Sequence, residues 1–403
     1  MKVAICGAGI AGLTLAERLS ALGAEVVLLE RSPTPRSQDC MIDFFGPGYE
    51  AAEAIGVLPA IQEISYHVGT ASLFDQDGRR QAPLPYERMV AALDGRLCRV
   101  TRTDLEKVLR DNLPRDVQLR FGTQVSQVSS GDDRVLVTLD DGEQLEADFL
   151  VGADGIHSIV RSLVFGAESQ FLRYLGFHFA AFVCDAHDLT DASGQHYVLT
   201  DAVDRQVSLH ALRDGRTAVL AVFRAADPEM PGDSRAVLRD VFGGIGWSVP
   251  DVLDRCPPAA DIHFEPVAQV EMTCWHKDRV VLLGDACSAV SQLTGQGPSM
   301  AVAGAYVLAD QLRRTSSVQR AFAFYERLWR PVIEAKQEPG RDTVDWLLPG
   351  SPSKLWIRRM ALRLAWLPMV SRRINVRLVG EPPAVIAMLR NGSPADPADP
   401  RPA

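Results

Sequence analysis

Several features that mark other protein classes are missing from this sequence. Its seven cysteines are scattered and form no CxxC pair, which argues against a disulfide framework and against a zinc site, so we expect no bound metal. No apolar run approaches the roughly 18 residues needed to span a bilayer. The net charge of −9 gives no electrostatic basis for binding nucleic acid. The N-terminus lacks a signal-peptide layout, and we expect a cytoplasmic protein with reduced thiols.

What is present is the composition of an ordinary globular protein. The chain has 403 residues, of which 47% are hydrophobic and 23% charged. A chain of this length buries a large core and has room for two or three domains.

The first thirty residues predict a nucleotide-binding unit. A short apolar strand (3–6) runs into a glycine turn, a helix-period pattern follows as far as Gly23, and a second apolar strand ends at Glu30. In such a strand–turn–helix unit the glycines allow a tight turn, close approach to a pyrophosphate and helix-on-strand packing. Glu30 follows Gly12 by 18 residues, close to the roughly 20 expected for a carboxylate that binds a ribose hydroxyl. The residues of the turn that we expect to contact the nucleotide are Gly7, Gly9, Ala11 and Gly12.

Two further segments place carboxylates after apolar strands. Asp154 follows the strand that ends near residue 151, and Asp285 follows the strand 279–283. Open α/β sheets bind ligands at the carboxyl ends of their strands. A helix from about Ser299 to Leu312 is predicted next, with Pro298 suited to its first turn. Its positive end and Asp285 together fit a flavin.

A helix is also predicted just after Arg102. Thr103 is the expected N-cap, and Glu106 completes a capping box with it. Arg102, immediately ahead of that helix, is either a cofactor contact or a solvated surface residue.

Residues 171–275 read as a mostly antiparallel sheet. Alternating side chains on one face would line a substrate pocket or form core, and core is favoured for any one of them. His210 is the candidate substrate contact. The side chains considered for that face are Phe177, Phe179, His210 and Phe223.

Three motifs in order carry a family resemblance: GAGIAG with Glu30, GADGIHSIVR and GDACSAVSQLTGQG. Over residues 1–335 the chain resembles the FAD-dependent class A flavoprotein monooxygenases, the family of para-hydroxybenzoate hydroxylase. Tetracycline-inactivating and natural-product tailoring hydroxylases are the closer look-alikes. The resemblance implies an α/β fold, in which a Rossmann-like FAD-binding domain built from discontinuous segments carries an inserted antiparallel substrate domain.

The resemblance also assigns roles to residues. The glycine turn, Glu30 and Arg31 would hold the ADP half of FAD, and Val125 would meet the adenine through its backbone. Arg102 would reach the middle of the cofactor, and Asp154 would serve both FAD and the passing nicotinamide. Asp285 would bind the ribityl chain. The residues expected at the pyrimidine edge of the flavin are Gly297, Pro298 and Ser299.

The chain departs from the family pattern near the substrate. Cys287 and Ser288 replace the usual alanine and histidine, and the usual proline before the second glycine turn is absent. The substrate is therefore not transferable from well-known members. The residues expected where substrate meets flavin, besides His210 and Phe223, are Gln292, Leu293 and Thr294.

The implied activity is FAD-dependent monooxygenation. Such enzymes use NADPH or NADH and O2, and hydroxylate an aromatic or polyketide-like molecule through a flavin C4a-hydroperoxide. No catalytic acid or base is assembled by the sequence, since the flavin carries the chemistry. The alternatives are an FAD-dependent reductase or dehydrogenase without oxygen insertion, and a non-enzymatic nucleotide-binding protein. A flavin halogenase is disfavoured because no WxWxIP-type motif is present.

The expected domains follow from this pattern. The FAD-binding domain would comprise 1–68, 98–170 and 276–345, and the substrate domain 69–97 and 171–275. C-terminal helices would occupy 346–390, and 391–403 would be disordered. The stretch 351–380 carries seven Lys/Arg and no acidic residue. It would cap the cofactor domain or lie on a membrane surface, and the cap is favoured.

Overall fold

A computed structural model defines most of the chain. The described residues are 1–35, 40–68, 70–84, 86–186, 188, 196–246, 248–290, 295–338, 346–364 and 385–390. The predicted contacts at 292–294 and the expected tail at 391–403 lie outside these ranges, as do 365–380 of the basic stretch.

A six-stranded sheet forms the centre of the nucleotide-binding part, in the order β17-β18-β11-β1-β2-β7. All neighbouring pairs are parallel except β17–β18. The inner strands β1, β11 and β18 are almost entirely buried because helices cover both faces of a parallel sheet. Its strands are β1 (Lys2–Cys6), β2 (Glu25–Glu30), β7 (Gln118–Phe121), β11 (Phe149–Gly152), β17 (His276–Lys277) and β18 (Val280–Leu282).

Two helices of this part begin at the carboxyl edge of the sheet. α1 (Ile10–Ala21) follows β1, and α10 (Gly297–Arg314) packs against it. The small residues of α10 permit this close packing, since Gly304 lies directly against the Trp329 indole. Around them lie α2 (Pro47–Ile55), α3 (Leu58–Glu63), α5 (Arg102–Asp111), α6 (Ile159–Val164), α9 (Asp285–Ser288), α11 (Val318–Gln337) and α13 (Val385–Arg390).

A seven-stranded sheet forms the second part, in the order β16-β12-β15-β14-β13-β4-β5. It is antiparallel except for the parallel pair β13–β4. α7 (Ser234–Phe242) and α8 (Val249–Asp254) pack on one face and bury a core with it. The strands are β4 (Thr70–Asp75), β5 (Arg80–Pro83), β12 (Leu172–Cys184), β13 (His196–Ala202), β14 (Arg205–Ala211), β15 (Thr217–Arg224) and β16 (His263–Val270).

Two small sheets complete the strand structure. One pairs β3 (Met41–Phe45) with β6 (Leu97–Thr101), and α4 (Tyr86–Ala92) precedes β6. The other contains β8 (Val125–Ser130), β9 (Val135–Leu139) and β10 (Gln144–Ala147). The mixed architecture confirms the predicted α/β fold.

The last long described helix, α12 (Pro352–Arg363), contacts the second sheet. Arg358 and Arg359 bind the buried Asp201 of β13, and Arg363 donates to Gln81 of β5. The helix therefore covers the seven-stranded sheet, whereas the sequence predicted a cap on the cofactor domain. No helix among the described residues is long and apolar enough to cross a membrane.

Candidate active site

Of the three glycines between β1 and the start of α1, only Gly9 has open space around it. Gly7 has φ +104°, and a Cβ there would lie 2.4 Å from the Ala153 carbonyl oxygen. A Cβ on Gly12 would lie 1.9 Å from the Gly7 oxygen, whereas one on Gly9 would meet nothing within 4 Å. Gly7 and Gly12 therefore serve the turn and the packing, and Gly9 faces open space.

Glu30 at the end of β2 holds this turn. Its carboxylate accepts hydrogen bonds from the backbone N–H groups of Ala8, at 2.9 Å, and Ser32, also at 2.9 Å. A carboxylate has about four lone-pair sites, so two of them are left for sugar hydroxyls. Arg31 is exposed and lines the same cavity as Glu30 and the turn.

Asp154 lies after β11, where the sequence placed it, and binds the start of α6. Its carboxylate accepts from Ser158 Oγ at 2.6 Å and from the N–H groups of Ile159 and Val160 at 2.7 and 3.1 Å. Burial raises the pKa of Asp154, and these hydrogen bonds act in the opposite direction. Asp154 also lines the cavity.

Arg102 is the first residue of α5 and is held in place by its own helix. Its Nε donates to Glu106 Oε1 at 2.9 Å. The N-cap is Thr101, whose side chain accepts from the Asp104 N–H, so the predicted capping box at Thr103 and Glu106 is wrong. Glu106 pairs with Arg102 because residues four apart lie on the same face of a helix.

The other end of the cavity is formed by α9 and the start of α10, and it carries the carboxylate of Asp285. Asp285 begins α9 directly after Gly284, which has φ +64°. Gly297 and Pro298 form the first turn of α10 and line the cavity with Asp285. Ser299 does not line it: its Oγ accepts from the Phe45 N–H at 3.2 Å, and it packs against Gly48. The prediction that Ser299 faces the flavin is not supported for its side chain.

The side chain of Val125 does not line the cavity. It begins β8, is fully buried and pairs with Leu139, so its side chain belongs to the core. The two preceding residues, Thr123 and Gln124, line the cavity instead. The predicted adenine contact was with the backbone of Val125, so its buried side chain does not contradict that assignment, which stays a prediction.

Two cavities meet at four residues. The smaller, about 110 Å³, contains the glycine turn, Glu30, Arg31 and Asp154. The larger, about 350 Å³, lies between β3, β6 and the seven-stranded sheet. The residues that line both cavities are Arg102, Asp285, Gly297 and Pro298. The positive end of the α10 dipole therefore lies at the junction.

The larger cavity is mostly apolar but has one polar wall. Tyr86, Arg99, Tyr197 and His210, which we call the cation–aromatic column, lie against one another and all line the cavity. The Arg99 guanidinium lies 4.4 Å from the Tyr86 ring and 4.7 Å from the Tyr197 ring, and Tyr197 stacks on His210 at 4.4 Å. Asp43 accepts two hydrogen bonds from Arg99, each of 2.8 Å.

His210 lines the cavity, in the place expected for a substrate contact. Burial, followed by the positive charge of Arg99, holds its pKa well below the usual value, so the ring is neutral at pH 7. Its Nε2 lies 3.2 Å from Ser208 Oγ. A neutral imidazole offers one donor and one acceptor to a ligand or a neighbour.

Phe223 is a correction. It lies on the opposite face of β15 and packs edge-to-face on Phe242 in the core beneath α7 and α8. Neighbouring residues of a strand point to opposite faces, so Val222 and Leu220 line the cavity in its place. Of the other considered side chains Phe179 lines the cavity, whereas Phe177 packs under the Arg224 guanidinium.

The sequence matches the family described as FAD binding domain over residues 1–321. That span includes the glycine turn at one end of the smaller cavity and the four residues that line both cavities. The chain belongs to the FAD-dependent class A monooxygenases. The fit of FAD is supported by the open space at Gly9 and by the sugar-binding capacity left on Glu30.

Two relatives show the extent of the likeness. An uncharacterized protein of Mycobacterium tuberculosis (strain H37Rv) is 33% identical over 347 residues, covering 83% of this chain and 91% of its own length. A flavin-dependent monooxygenase of Legionella longbeachae is 28% identical, covering 84% of this chain and 88% of its own length.

Solved structures agree with this membership. The tetracycline destructase Tet(55) has a TM-score of 0.79 and 26% identity, covering 95% of this chain and 98% of its own. HpxO of Klebsiella pneumoniae, solved with FAD and uric acid, has a TM-score of 0.78 at 22% identity over 95% of this chain and 97% of its own. The second likeness shows the fold alone.

The residues that sequence reasoning missed are mainly those of the polar wall. An arginine at position 99 inside an otherwise apolar strand, LCRVT, was a usable signal, because a buried charge requires a partner. Tyr86 and Tyr197 had no comparable signal, since their contact depends on how the sheets meet. The missed residues of that wall are Asp43, Tyr86, Arg99 and Tyr197.

Proposed function

We propose that this chain is an NAD(P)H-consuming monooxygenase that inserts one oxygen atom into an aromatic or polyketide-like molecule held in the larger cavity. The observation that carries the proposal is the junction at Arg102, Asp285, Gly297 and Pro298. FAD bound along the smaller cavity would present its reactive ring there, and once reduced it would supply the activation of O2.

The chain's own residues would bind and orient the cofactor. Gly9 admits the pyrophosphate, Glu30 and Arg31 bind the adenosine side, and the Thr123–Gln124 loop with the backbone near Val125 meets the adenine. Asp154 holds the α6 end of the cavity, and Asp285 with Gly297 and Pro298 holds the ring end. The N-terminus of α10 would place the positive end of its dipole where negative charge develops.

The larger cavity supports a flat, conjugated substrate. Aromatic and aliphatic side chains such as Phe179 and Leu220 cover much of its wall, and the cation–aromatic column is one of its polar parts. A volume of about 350 Å³ suits a mid-sized molecule. Neutral His210 would form a hydrogen bond with a substrate hydroxyl or carbonyl group.

This arrangement suggests that one sheet belongs to a cofactor-binding unit and the other to a substrate-binding unit. We propose that 1–68, 98–170 and 276–345 form the FAD-binding unit and that 69–97 and 171–275 form the substrate unit. The proposal is supported by β4 and β5, which leave the first segment of the chain to join the seven-stranded sheet.

The test is a measurement of NADPH and NADH oxidation in air, with mass analysis of the products from a panel of phenolic and polyketide compounds. Oxidation accelerated by one compound, together with a product heavier by one oxygen atom, supports the proposal. Oxidation that transfers hydride without any oxygenated product would instead favour a reductase or dehydrogenase.

Two substitutions on α5 test whether the residues that line both cavities contact FAD. Arg102→Gln removes a guanidinium that lines both cavities, and we expect FAD affinity to fall by about tenfold or more, as for loss of a hydrogen bond from a charged group. Lys107→Gln, on the exposed side of the same helix, is the matched control and should leave FAD affinity unchanged.

A further inference from the structure

A cysteine, a histidine and a glutamate converge beside the edge strand β17. Cys274 lies two residues before His276, the first residue of β17, and Glu326 lies on α11. Among the residues that the structure describes, they are the one group of three His, Cys, Asp or Glu side chains with a ligand atom each within 4.8 Å of the others. None of the three lines either cavity, so they lie outside the site proposed for FAD and substrate.

The three ligand atoms surround one position. His276 Nδ1 lies 2.8 Å from Glu326 Oε2 and 4.0 Å from Cys274 Sγ, and that sulfur lies 3.8 Å from Glu326 Oε2. In tetrahedral zinc, bonds of about 2.3 Å to sulfur and about 2.0–2.1 Å to nitrogen or oxygen separate the ligand atoms by about 3.3–3.6 Å. Shifts of about 0.5 Å would bring the three atoms to the separations that zinc requires.

The same geometry argues against a proton relay from the glutamate through the histidine to a nucleophilic thiol. In such a relay the acid and the nucleophile contact opposite nitrogens of the imidazole ring. Here the sulfur of Cys274 and the carboxylate oxygen of Glu326 both approach Nδ1 of His276. The thiol donates instead to the His276 carbonyl oxygen, at 2.8 Å. The arrangement therefore fits a shared ion better than it fits a relay.

Packing and hydrogen bonds hold these side chains in place. Trp275, between the cysteine and the histidine, is 2% exposed and packs against Tyr325 with 5.7 Å between the ring centroids. Glu326 Oε2 accepts from the Trp275 N–H at 2.8 Å, and its Oε1 accepts from Arg330. Contacts of this kind orient metal-binding side chains and increase their affinity. Cys274 is exposed, so an ion has access from solvent.

We propose that Cys274, His276 and Glu326 bind one Zn²⁺, which links β17 to α11. Thiolate, imidazole and carboxylate are all zinc ligands, whereas Mg²⁺ and Ca²⁺ take oxygen ligands. Glu326 Oε2 keeps a lone pair beyond the one that the Trp275 N–H uses. Water would fill the fourth position of the zinc. Binding releases the thiol proton and replaces the direct contact between histidine and glutamate.

This ligand set differs from the kind that the sequence excludes. The sequence predicted no bound metal because it contains no CxxC pair. The proposed site needs only one cysteine, and its glutamate follows the histidine by 50 residues. The CxH spacing at 274–276 was the available signal, and the position of Glu326 depends on how α11 packs against the sheet.

The test is the zinc content of the tag-free, FAD-loaded protein. The protein is reduced, incubated with excess Zn²⁺, dialysed against zinc-free buffer and analysed by plasma mass spectrometry. We expect about one zinc per chain. Because zinc binds the folded chain, we also expect the melting temperature to rise by a few degrees with zinc and to fall again with EDTA.

Co²⁺ in place of zinc identifies the ligands. A thiolate bound to Co²⁺ produces a charge-transfer band in the near ultraviolet, and a four-coordinate site absorbs visible light more strongly than a six-coordinate one. The spectrum is recorded as a difference from the metal-free, FAD-loaded protein, so that the flavin absorption cancels. We expect the charge-transfer band together with four-coordinate visible absorption.

Cys274→Ser and Glu334→Gln form a matched pair. Both residues are exposed, so both variants should fold, and Glu334 lies on the same helix as Glu326 and near the same Arg330. Cys274→Ser removes a ligand and should lower zinc affinity by about 100-fold or more and abolish the charge-transfer band. Glu334→Gln should keep both the zinc and the band.

Three results would each overturn the site. They are a folded, reduced protein that retains no zinc after dialysis, a Cys274→Ser variant that binds zinc as tightly as the unchanged protein, and a Co²⁺ complex without the charge-transfer band. None of these measurements depends on turnover. The monooxygenase proposal therefore stands or fails separately.

Discussion

Each glycine of the first turn has a separate physical role, and substitution by alanine distinguishes them. Gly9→Ala adds a methyl group that meets no protein atom within 4 Å, and its φ of −81° suits alanine. We expect the variant to fold with an unchanged melting temperature and to lose FAD affinity by about tenfold or more, because the methyl group occupies the phosphate position. Thermal melting and FAD titration measure both effects.

Gly12→Ala is the contrasting variant. Its methyl group would lie 1.9 Å from the Gly7 carbonyl oxygen, an overlap that backbone atoms do not relieve. We expect poor folding or a melting temperature many degrees lower. A well-folded Gly12→Ala enzyme, or a Gly9→Ala enzyme with normal FAD affinity, contradicts the assigned roles.

The pH dependence of stability tests the state of His210. Its folded pKa is depressed by burial and by Arg99, so the unfolded chain binds a proton as pH falls through about 6.5 and the folded chain does not. The stabilising effect is therefore present above about pH 6.5 and is lost as pH decreases. We expect up to about 1.4 kcal/mol of unfolding free energy to be lost per pH unit at this site.

His210→Asn removes the imidazole that takes up this proton. The stability of the variant is compared with that of the unchanged protein from pH 7.5 to 5 by denaturant unfolding. The variant should lose less stability over this range than the unchanged protein. Parallel curves would show that His210 is protonated in the folded state.

Sequence reasoning at this scale succeeded for residues whose role follows from the backbone and failed for those whose role follows from side-chain direction. Glu30 and Asp154 sit at strand ends and line the smaller cavity with Gly7 and Gly9, whereas Gly12 packs against the turn. Whether Phe223 or Val222 faces a ligand depends on which residues of one strand point to that face of the sheet. A shift of one residue exchanges the two faces. Ser299 was misplaced in a similar way, since helix α10 turns its side chain toward Phe45.

One buried carboxylate of the second sheet, Asp201, binds two arginines of α12. Asp201 accepts from Arg358 and Arg359, and its side chain is fully buried. Asp201→Ala leaves two guanidinium groups without their anion, and breaking such a buried pair costs about 3–5 kcal/mol. We expect a loss of that size in unfolding free energy, measured in denaturant, and faster proteolysis within α12.

The matched control is Asp214→Ala, which removes an exposed carboxylate from the turn after β14 of the same sheet. It should change stability by less than about 1 kcal/mol. Equal stability of both variants would mean that the Asp201 cluster does not hold α12.

The positions of such elements were only partly predictable from the sequence. The amphipathic, basic pattern from 351 onward predicted a helix, and α12 lies within it. Its partner was not predictable, because Asp201 lies more than 150 residues away and the neighbouring strands carry no matching signal. The basic charge that suggested a membrane or a cap on the cofactor domain instead binds a carboxylate in the substrate sheet.

The whole molecule is organised by sequence segments that are far apart along the chain. β1, β11 and β18 lie side by side although about 145 and 130 residues separate them along the chain, and their carboxyl ends bring Gly9, Asp154 and Asp285 to one cavity. This convergence was predictable because each segment carries the same strand-then-turn pattern. The shape and polar wall of the larger cavity were not, since they depend on the packing of one sheet against another.

If a flavin binds where the two cavities meet, the flavin content of the purified protein, measured before and after incubation with FAD, will show it. We predict a yellow protein with about one FAD per chain. Gly9→Ala should be colourless or bind FAD weakly in the same assay. A folded, unmodified protein that stays colourless with excess FAD would contradict the assignment of FAD to the smaller cavity.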